Sequence, residues 1–278
     1  MRRMLFALVI AVALSAPSSA ATVDGLTIHS SSTGSGPATI VFIHGWTCDS
    51  SSWAAQVPAF AKKYRVVTLD LPGHGKSALP KDGKFSMDLF ARAVEAVRAE
   101  TKAERVVLVG HSMGAPVIRQ YARLYPQHVA GLVAVDGVLR IGGGPAREGA
   151  PPPPQADRMR GPEGMKNREA MIRGMFTPAT PQSIQQHVLK MMLAAPESTA
   201  YGAMAATFDP AIWKDDVTTL PVLGIYADKS VLANPEYTKK IFPSFEYTEI
   251  PGTGHFLMME KPQEFNQLLV KFVEKLKP

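Results

Sequence analysis

Residues 107–115, Val-Leu-Val-Gly-His-Ser-Met-Gly-Ala, carry a serine in a setting suited to nucleophilic chemistry. The apolar run into Gly110-x-Ser112-x-Gly114 reads as a buried strand that delivers one serine at a tight turn into a helix. A serine hydroxyl is a poor nucleophile at neutral pH; it needs a base in hydrogen-bond reach, and the base needs a group to orient it. His255 suits the base, because it follows a strand and the Gly252-Thr-Gly254 turn and completes the order serine, acid, histidine. Asp228 comes directly after a buried strand and before His255. It is the carboxylate expected to fix the imidazole tautomer and stabilise the imidazolium. Asp136 also ends a strand and is the competing acid. Acyl transfer further needs donors for a developing oxyanion, and the main-chain N–H groups of Met113 and Trp46 are placed for it, one after the nucleophile and one at a strand end. His29, His128 and His187 keep the default structural reading.

The elements around these residues alternate. Segments 38–43, 64–69, 105–109, 129–135 and 220–227 are short, apolar and rich in β-branched residues without alternation, as fully buried strands are. Residues 245–250 form the last strand, and 26–30 read as a short edge strand. Helices are expected at 52–63, 85–100, 113–125 and 235–241, and a C-terminal one carries Phe265, Leu268, Leu269, Phe272, Val273 and Leu276 at helical spacing. The pattern predicts an α/β fold: a mostly parallel sheet with helices on both faces. The rhythm stops at Gly137, and an insert over about 137–213 is read as a helical cap over the site. Seven of its methionines (Met159, Met165, Met171, Met175, Met191, Met192 and Met204) are read first as adaptable core.

With 278 residues, 46% hydrophobic and 19% charged, the chain has the size and composition of one catalytic domain with a sizeable core. Residues 1–20 have a basic start, an unbroken apolar run and small residues Ser18 and Ala20, the layout of a secretory signal peptide cut before Ala21. That leaves a catalytic domain at 21–278, exported to the periplasm or the medium and not inserted in a membrane. Loss of Arg2 and Arg3 takes the formal charge from +6 to +4, and the basic residues are spread along the chain, which gives no case for nucleic acid. Cys48 is the only cysteine, so no internal disulfide or cysteine metal cluster is available.

His44-Gly-Trp46, Asp70-Leu-Pro-Gly-His-Gly-Lys-Ser77, Gly110-His-Ser-Met-Gly114, Asp228 and Gly254-His255 together resemble an α/β-hydrolase-fold serine hydrolase of the esterase, lipase and perhydrolase type. The resemblance implies the α/β-hydrolase fold, a triad of Ser112, Asp228 and His255, and oxyanion donors at Trp46 and Met113. Asp70 and Ser77 are turn scaffold on the same comparison. Serine at the elbow argues against the related dehalogenases and epoxide hydrolases, which carry aspartate there. Gly114-Ala115 stands where many relatives have two glycines, which is expected to crowd the helix slightly. The implied activity is cofactor-free and metal-free hydrolysis of a small-molecule carboxylic ester or lactone through an acyl-serine. A cofactor-free perhydrolase or haloperoxidase-like enzyme is the alternative within the fold, and a non-catalytic ligand-binding protein the alternative outside enzymes.

Overall fold

The computed structural model describes residues 18–140 and 154–276. Most of the expected leader and the glycine- and proline-rich connector around 142–153 lie outside the described residues. The described residues begin with a hairpin, β1 (Ser18–Val23) and β2 (Leu26–Thr33), followed by β3 (Thr39–Ile43), α1 (Gln56–Phe60), β4 (Arg65–Leu69) and α2 (Met87–Thr101). Next come β5 (Val106–His111), α3 (Gly114–Leu124) and β6 (Val129–Val135), then, among the described residues, the helices α4 (Pro154–Asp157), α5 (Gly164–Arg173), α6 (Gln182–Leu193) and α7 (Glu197–Thr207). The chain closes with β7 (Val222–Ala227), α8 (Pro235–Ile241), β8 (Phe245–Ile250), α9 (Leu257–Glu260) and α10 (Pro262–Lys275).

These strands form one eight-stranded sheet in the order β1-β2-β4-β3-β5-β6-β7-β8. The β1 and β2 strands pair antiparallel, as do β2 and β4, and every other pair is parallel. In β3, β5 and β7 every residue is buried, which is why their sequences show no alternation. The edge strand β8 is buried only at its two ends. The helices α2 and α3 pack on each other over one face, and α1 packs on α10 over the other. Phe42 of β3 meets Trp53 at 4.8 Å between ring centroids, and Trp53 meets Phe265 of α10 at 6.2 Å, so aromatic rings fill the layer under α10.

Two local findings differ from the sequence expectation. The segment 52–63 is a 3-10 turn at Ser50–Trp53 followed by the short α1, and not one continuous helix. Residues 18–23 form a strand whose Val23 faces Leu26 across Asp24-Gly25. Both turn residues have positive φ, 50° and 75°, the backbone that a two-residue hairpin with the sheet's twist demands.

Helices α4–α7 stand between β6 and β7, where the cap is expected. Met159, Met191, Met192 and Met204 are buried, Met171 and Met175 pack half-buried against the core, and Met165 is exposed. The insert therefore uses most of its methionines as interior filling. Among the described residues no helix is long and apolar enough to cross a membrane.

Candidate functional site

Ser112 sits between β5 and α3 with φ of 52°, a left-handed conformation that an L-residue adopts only when its surroundings enforce it. Two main-chain bonds do so: Ser112 N–H donates to Val135 O at 2.9 Å, and Ala115 N–H donates to Ser112 O at 3.0 Å. The turn is too tight for side chains around it. A Cβ on Gly110 would stand 2.2 Å from Gly114 O, and one on Gly137 would stand 2.5 Å from Ser112 O and 2.6 Å from the Ala115 methyl. Gly137 thus makes the room that Ala115 takes up, so the crowding expected from Gly114-Ala115 is relieved from β6.

His255 reaches an acid, and that acid is Asp136. His255 Nδ1 lies 2.6 Å from Asp136 Oδ2, with both side chains largely buried. The expected partner, Asp228, is exposed; its Oδ2 accepts the Gly252 N–H at 3.1 Å. The register of the sheet explains the difference. The parallel pairing of β6 with β7 sets Val135 opposite Ile225, so Asp136 is level with the interior of β7 while Asp228 lies beyond its end. Asp136 is also held from its main chain, at φ of 39° with its N–H on Ile225 O, and its Oδ1 accepts the Ala227 N–H at 3.1 Å. Burial alone works to raise the Asp136 carboxyl's pKa, but the hydrogen bond and charge of His255 outweigh it and hold the group below the usual carboxylate range. The signal missed in the sequence is Gly137. A glycine directly after a buried strand's terminal aspartate marks a close approach, whereas Asp228 runs on into polar Lys229-Ser230.

The expected oxyanion donors lie in two buried turns. Trp46 and Met113 are buried, and among the described residues neither main-chain N–H donates to a main-chain carbonyl. His44 shapes the Trp46 turn: its Nδ1–H donates to Gly45 O at 2.8 Å, and its Nε2 accepts the Leu71 N–H at 3.0 Å. Those two partners fix one neutral tautomer and tie the turn after β3 to the turn after β4. In the latter, the Asp70 carboxylate accepts N–H groups from Ser50 at 2.8 Å and Lys76 at 2.9 Å, and the Ser77 hydroxyl donates to Asp70 O. Glu260 holds the base loop through its Oε2, which accepts the Gly254 N–H at 2.9 Å. His44 stands in a motif of the sequence but its tie to Leu71 does not show there, and Glu260 does not stand out at all, since their work is done through main-chain groups.

The segment inserted between β6 and β7 is fastened to this site. Trp46 Nε1–H donates to Ala200 O at 2.8 Å, the Thr199 hydroxyl donates to Gly73 O at 2.8 Å, and His255 N–H donates to Met175 O at 3.2 Å. Beside the Thr47 turn, a cleft of about 340 Å³ opens between α6–α7 and the turns after β3 and β4, and Ser112 does not line it. Phe256 is buried against the ring of His111, with 5.1 Å between ring centroids. Among the described residues no group of three or more His, Cys, Asp or Glu is arranged to hold a metal ion.

Three histidines here, His44, His74 and His111, are fully buried, and burial lowers the pKa of each below 6.5, to about 3 for His74. A folded-state pKa below the unfolded one means that the unfolded chain binds more protons as the medium acidifies. Stability is therefore complete above about pH 6.5 and is lost as pH falls from there toward 3. The unfolding free energy measured by urea titration is expected to fall between pH 7 and pH 4.5, by up to roughly 3 kcal/mol from His74 with His44 and His111 acting in the same direction. A flat or rising value over that window contradicts the burial of these rings.

The profile of the alpha/beta hydrolase family matches residues 40–268. The chain is 28% identical over 252 residues to the dihydrolipoyllysine-residue acetyltransferase component of the acetoin cleaving system of Pseudomonas putida, a match that takes in 87% of this chain. The chain spans 65% of that relative's length. It is 29% identical over 268 residues to 2-hydroxy-6-oxononadienedioate/2-hydroxy-6-oxononatrienedioate hydrolase of Paraburkholderia phymatum, which covers 89% of this chain and 91% of the relative. Among solved structures it superimposes on a thermophilic esterase from Thermogutta terrifontis with a TM-score of 0.81 at 23% identity, over 94% of this chain and 99% of the other.

Proposed function

We propose, for a chain that belongs to the alpha/beta hydrolase family, that the enzyme is a serine hydrolase cleaving a small carboxylic ester or lactone through an acyl-Ser112 intermediate. In this reading Asp136 accepts the Nδ1–H of His255 and keeps the proton off Nε2, which then takes the hydroxyl proton of Ser112 as the oxygen attacks the carbonyl carbon. The oxyanion that forms is received by the N–H groups of Trp46 and Met113. Collapse of the tetrahedral intermediate breaks the ester bond, His255 returns the proton to the leaving alkoxide, and water repeats the sequence to free the acid. The observation that carries the proposal is the pairing of His255 with a buried carboxylate at 2.6 Å beside a serine held at positive φ.

A fluorophosphonate probe tests this directly, because it reacts only with an activated serine. One adduct per chain is expected, on the peptide that contains Ser112, and folded protein that stays unlabelled contradicts the reading. The leader-like residues 1–20 further support an exported enzyme. A cut before Ala21 leaves Ala21, Thr22 and Val23 paired with Ile28, Thr27 and Leu26, so the hairpin retains three of its register pairs. Mass spectrometry of the secreted or periplasmic protein checks the new N-terminus: one at Met1 contradicts export by cleavage.

A further inference from the structure

The residue before the nucleophile has no part in the chemistry proposed above, yet its surroundings are the most specific in the site. His111 ends β5, and its side chain is fully buried. Its Nε2 lies 2.9 Å from the main-chain oxygen of His255. A carbonyl only accepts, so Nε2 carries the proton. Its ring stands 4.7 Å from the His255 ring and 5.1 Å from Phe256, and the edge of Trp53 closes another side at 6.5 Å. Nδ1, on the far side of the ring, is buried without a hydrogen-bond partner, next to the place where a Cβ on Gly45 would come within 3.0 Å. Packing alone asks only for an aromatic ring in this slot. A histidine that leaves one nitrogen unsatisfied in the interior costs stability that phenylalanine does not, so the Nε2–H is the feature that distinguishes it.

We infer that His111 is the positioning residue of the base: its Nε2–H holds the His255 main chain, and so sets where the His255 ring stands between Asp136 and Ser112. This rests on the reading of Ser112 and His255 given above. The covalent link makes the device direct. Ser112 is the next residue in the chain, so one rigid segment carries the nucleophile and fixes the backbone of its base, although 144 residues separate His111 from His255 in sequence. Because His111 belongs to β5, the distance between base and nucleophile is set by the sheet and not by the Gly252-Thr-Gly254 turn alone. The main chain of His255 is thereby gripped twice, from the sheet through its oxygen and from the cap through its N–H on Met175 O.

Two variants separate positioning from packing. His111→Phe keeps an aromatic ring and removes the donor; His111→Gln offers an amide N–H at about the reach of Nε2. With a chromogenic ester, His111→Phe is expected to lower kcat about a hundredfold with KM within about twofold, as displacement of a catalytic group by an ångström does. His111→Gln is expected to recover most of that loss. The second readout does not depend on turnover: in imidazole-labelled protein, the downfield proton resonance of the His255 Nδ1–H bonded to Asp136 is expected to be sharp in wild type and His111→Gln and broadened in His111→Phe. Full activity and an unchanged resonance in a folded His111→Phe overturn the inference, as does equal damage in both variants. If wild-type protein shows the resonance but neither turns over esters nor labels at Ser112, the hydrolase reading has failed, and the resonance of the variants still decides the role of His111.

Discussion

Ser112→Ala is expected to abolish turnover of a chromogenic short-chain ester, lowering kcat by about six orders of magnitude, the loss that follows when the attacking oxygen of a serine triad is removed. The substitution isolates that oxygen. Alanine keeps the Cβ, so the strain of φ at 52° and the contacts around the elbow are the same in both proteins. The Ser112 hydroxyl has no hydrogen-bond partner among the described residues, so its deletion leaves the strand–turn–helix unit intact, and the thermal midpoint is expected to stay within a few degrees of wild type. Residual catalysis in the variant then measures what the proposed Trp46 and Met113 donors and substrate binding contribute without covalent chemistry. Turnover within tenfold of wild type by a Ser112→Ala protein free of contaminating esterase overturns the acyl-serine mechanism.

The parts of this structure that the sequence made legible are those where burial acts on consecutive residues. Strands β3, β5, β6 and β7 read clearly because both faces of a central parallel strand are covered, which leaves an apolar run such as Thr39–Ile43 with no alternation to confuse it. The tight turn around Ser112 was legible for a related reason, since Gly110-x-Ser112-x-Gly114 records a main-chain collision that any larger residue would create. The β1 strand was obscured by a competing reading of the same residues, because Ser18 and Ala20 suit a cleavage site as well as a strand. The Asp24-Gly25 pair that makes its hairpin was present in the sequence throughout. The carboxylate partner of His255 was the harder case. Asp136 and Asp228 both follow buried strands, and chain order admits either; the choice depends on how far β7 runs past β6, which is a fact of sheet register. The roles that His44, His111 and Glu260 play through the main chain leave no pattern, even though the first two stand inside recognised motifs, because an N–H or carbonyl partner has no side-chain identity to recognise.

Register makes the two aspartates separable by experiment. Asp136→Asn puts an amide where the carboxylate was, nearly the same size and still able to face His255 Nδ1 at the observed 2.6 Å contact. An amide that donates there favours the tautomer with its proton on Nε2, and such a ring has no lone pair for the Ser112 hydroxyl. The charge that steadies the imidazolium is lost as well. A fall in kcat of about 10⁴ at neutral pH is expected, with KM little changed, because geometry survives and only protonation is wrong. Asp228→Asn is expected to do almost nothing. Its side-chain oxygen still accepts the Gly252 N–H, and the position is exposed, so kcat/KM stays within about twofold and the thermal midpoint barely moves. The paired measurement is stronger than either alone, since a general effect of removing negative charge near His255 would lower both variants together. Loss in Asp228→Asn with retention in Asp136→Asn would return the acid to the end of β7 and require that strand end to swing inward past Tyr226, whose hydroxyl now donates to Gly137 O at 3.0 Å.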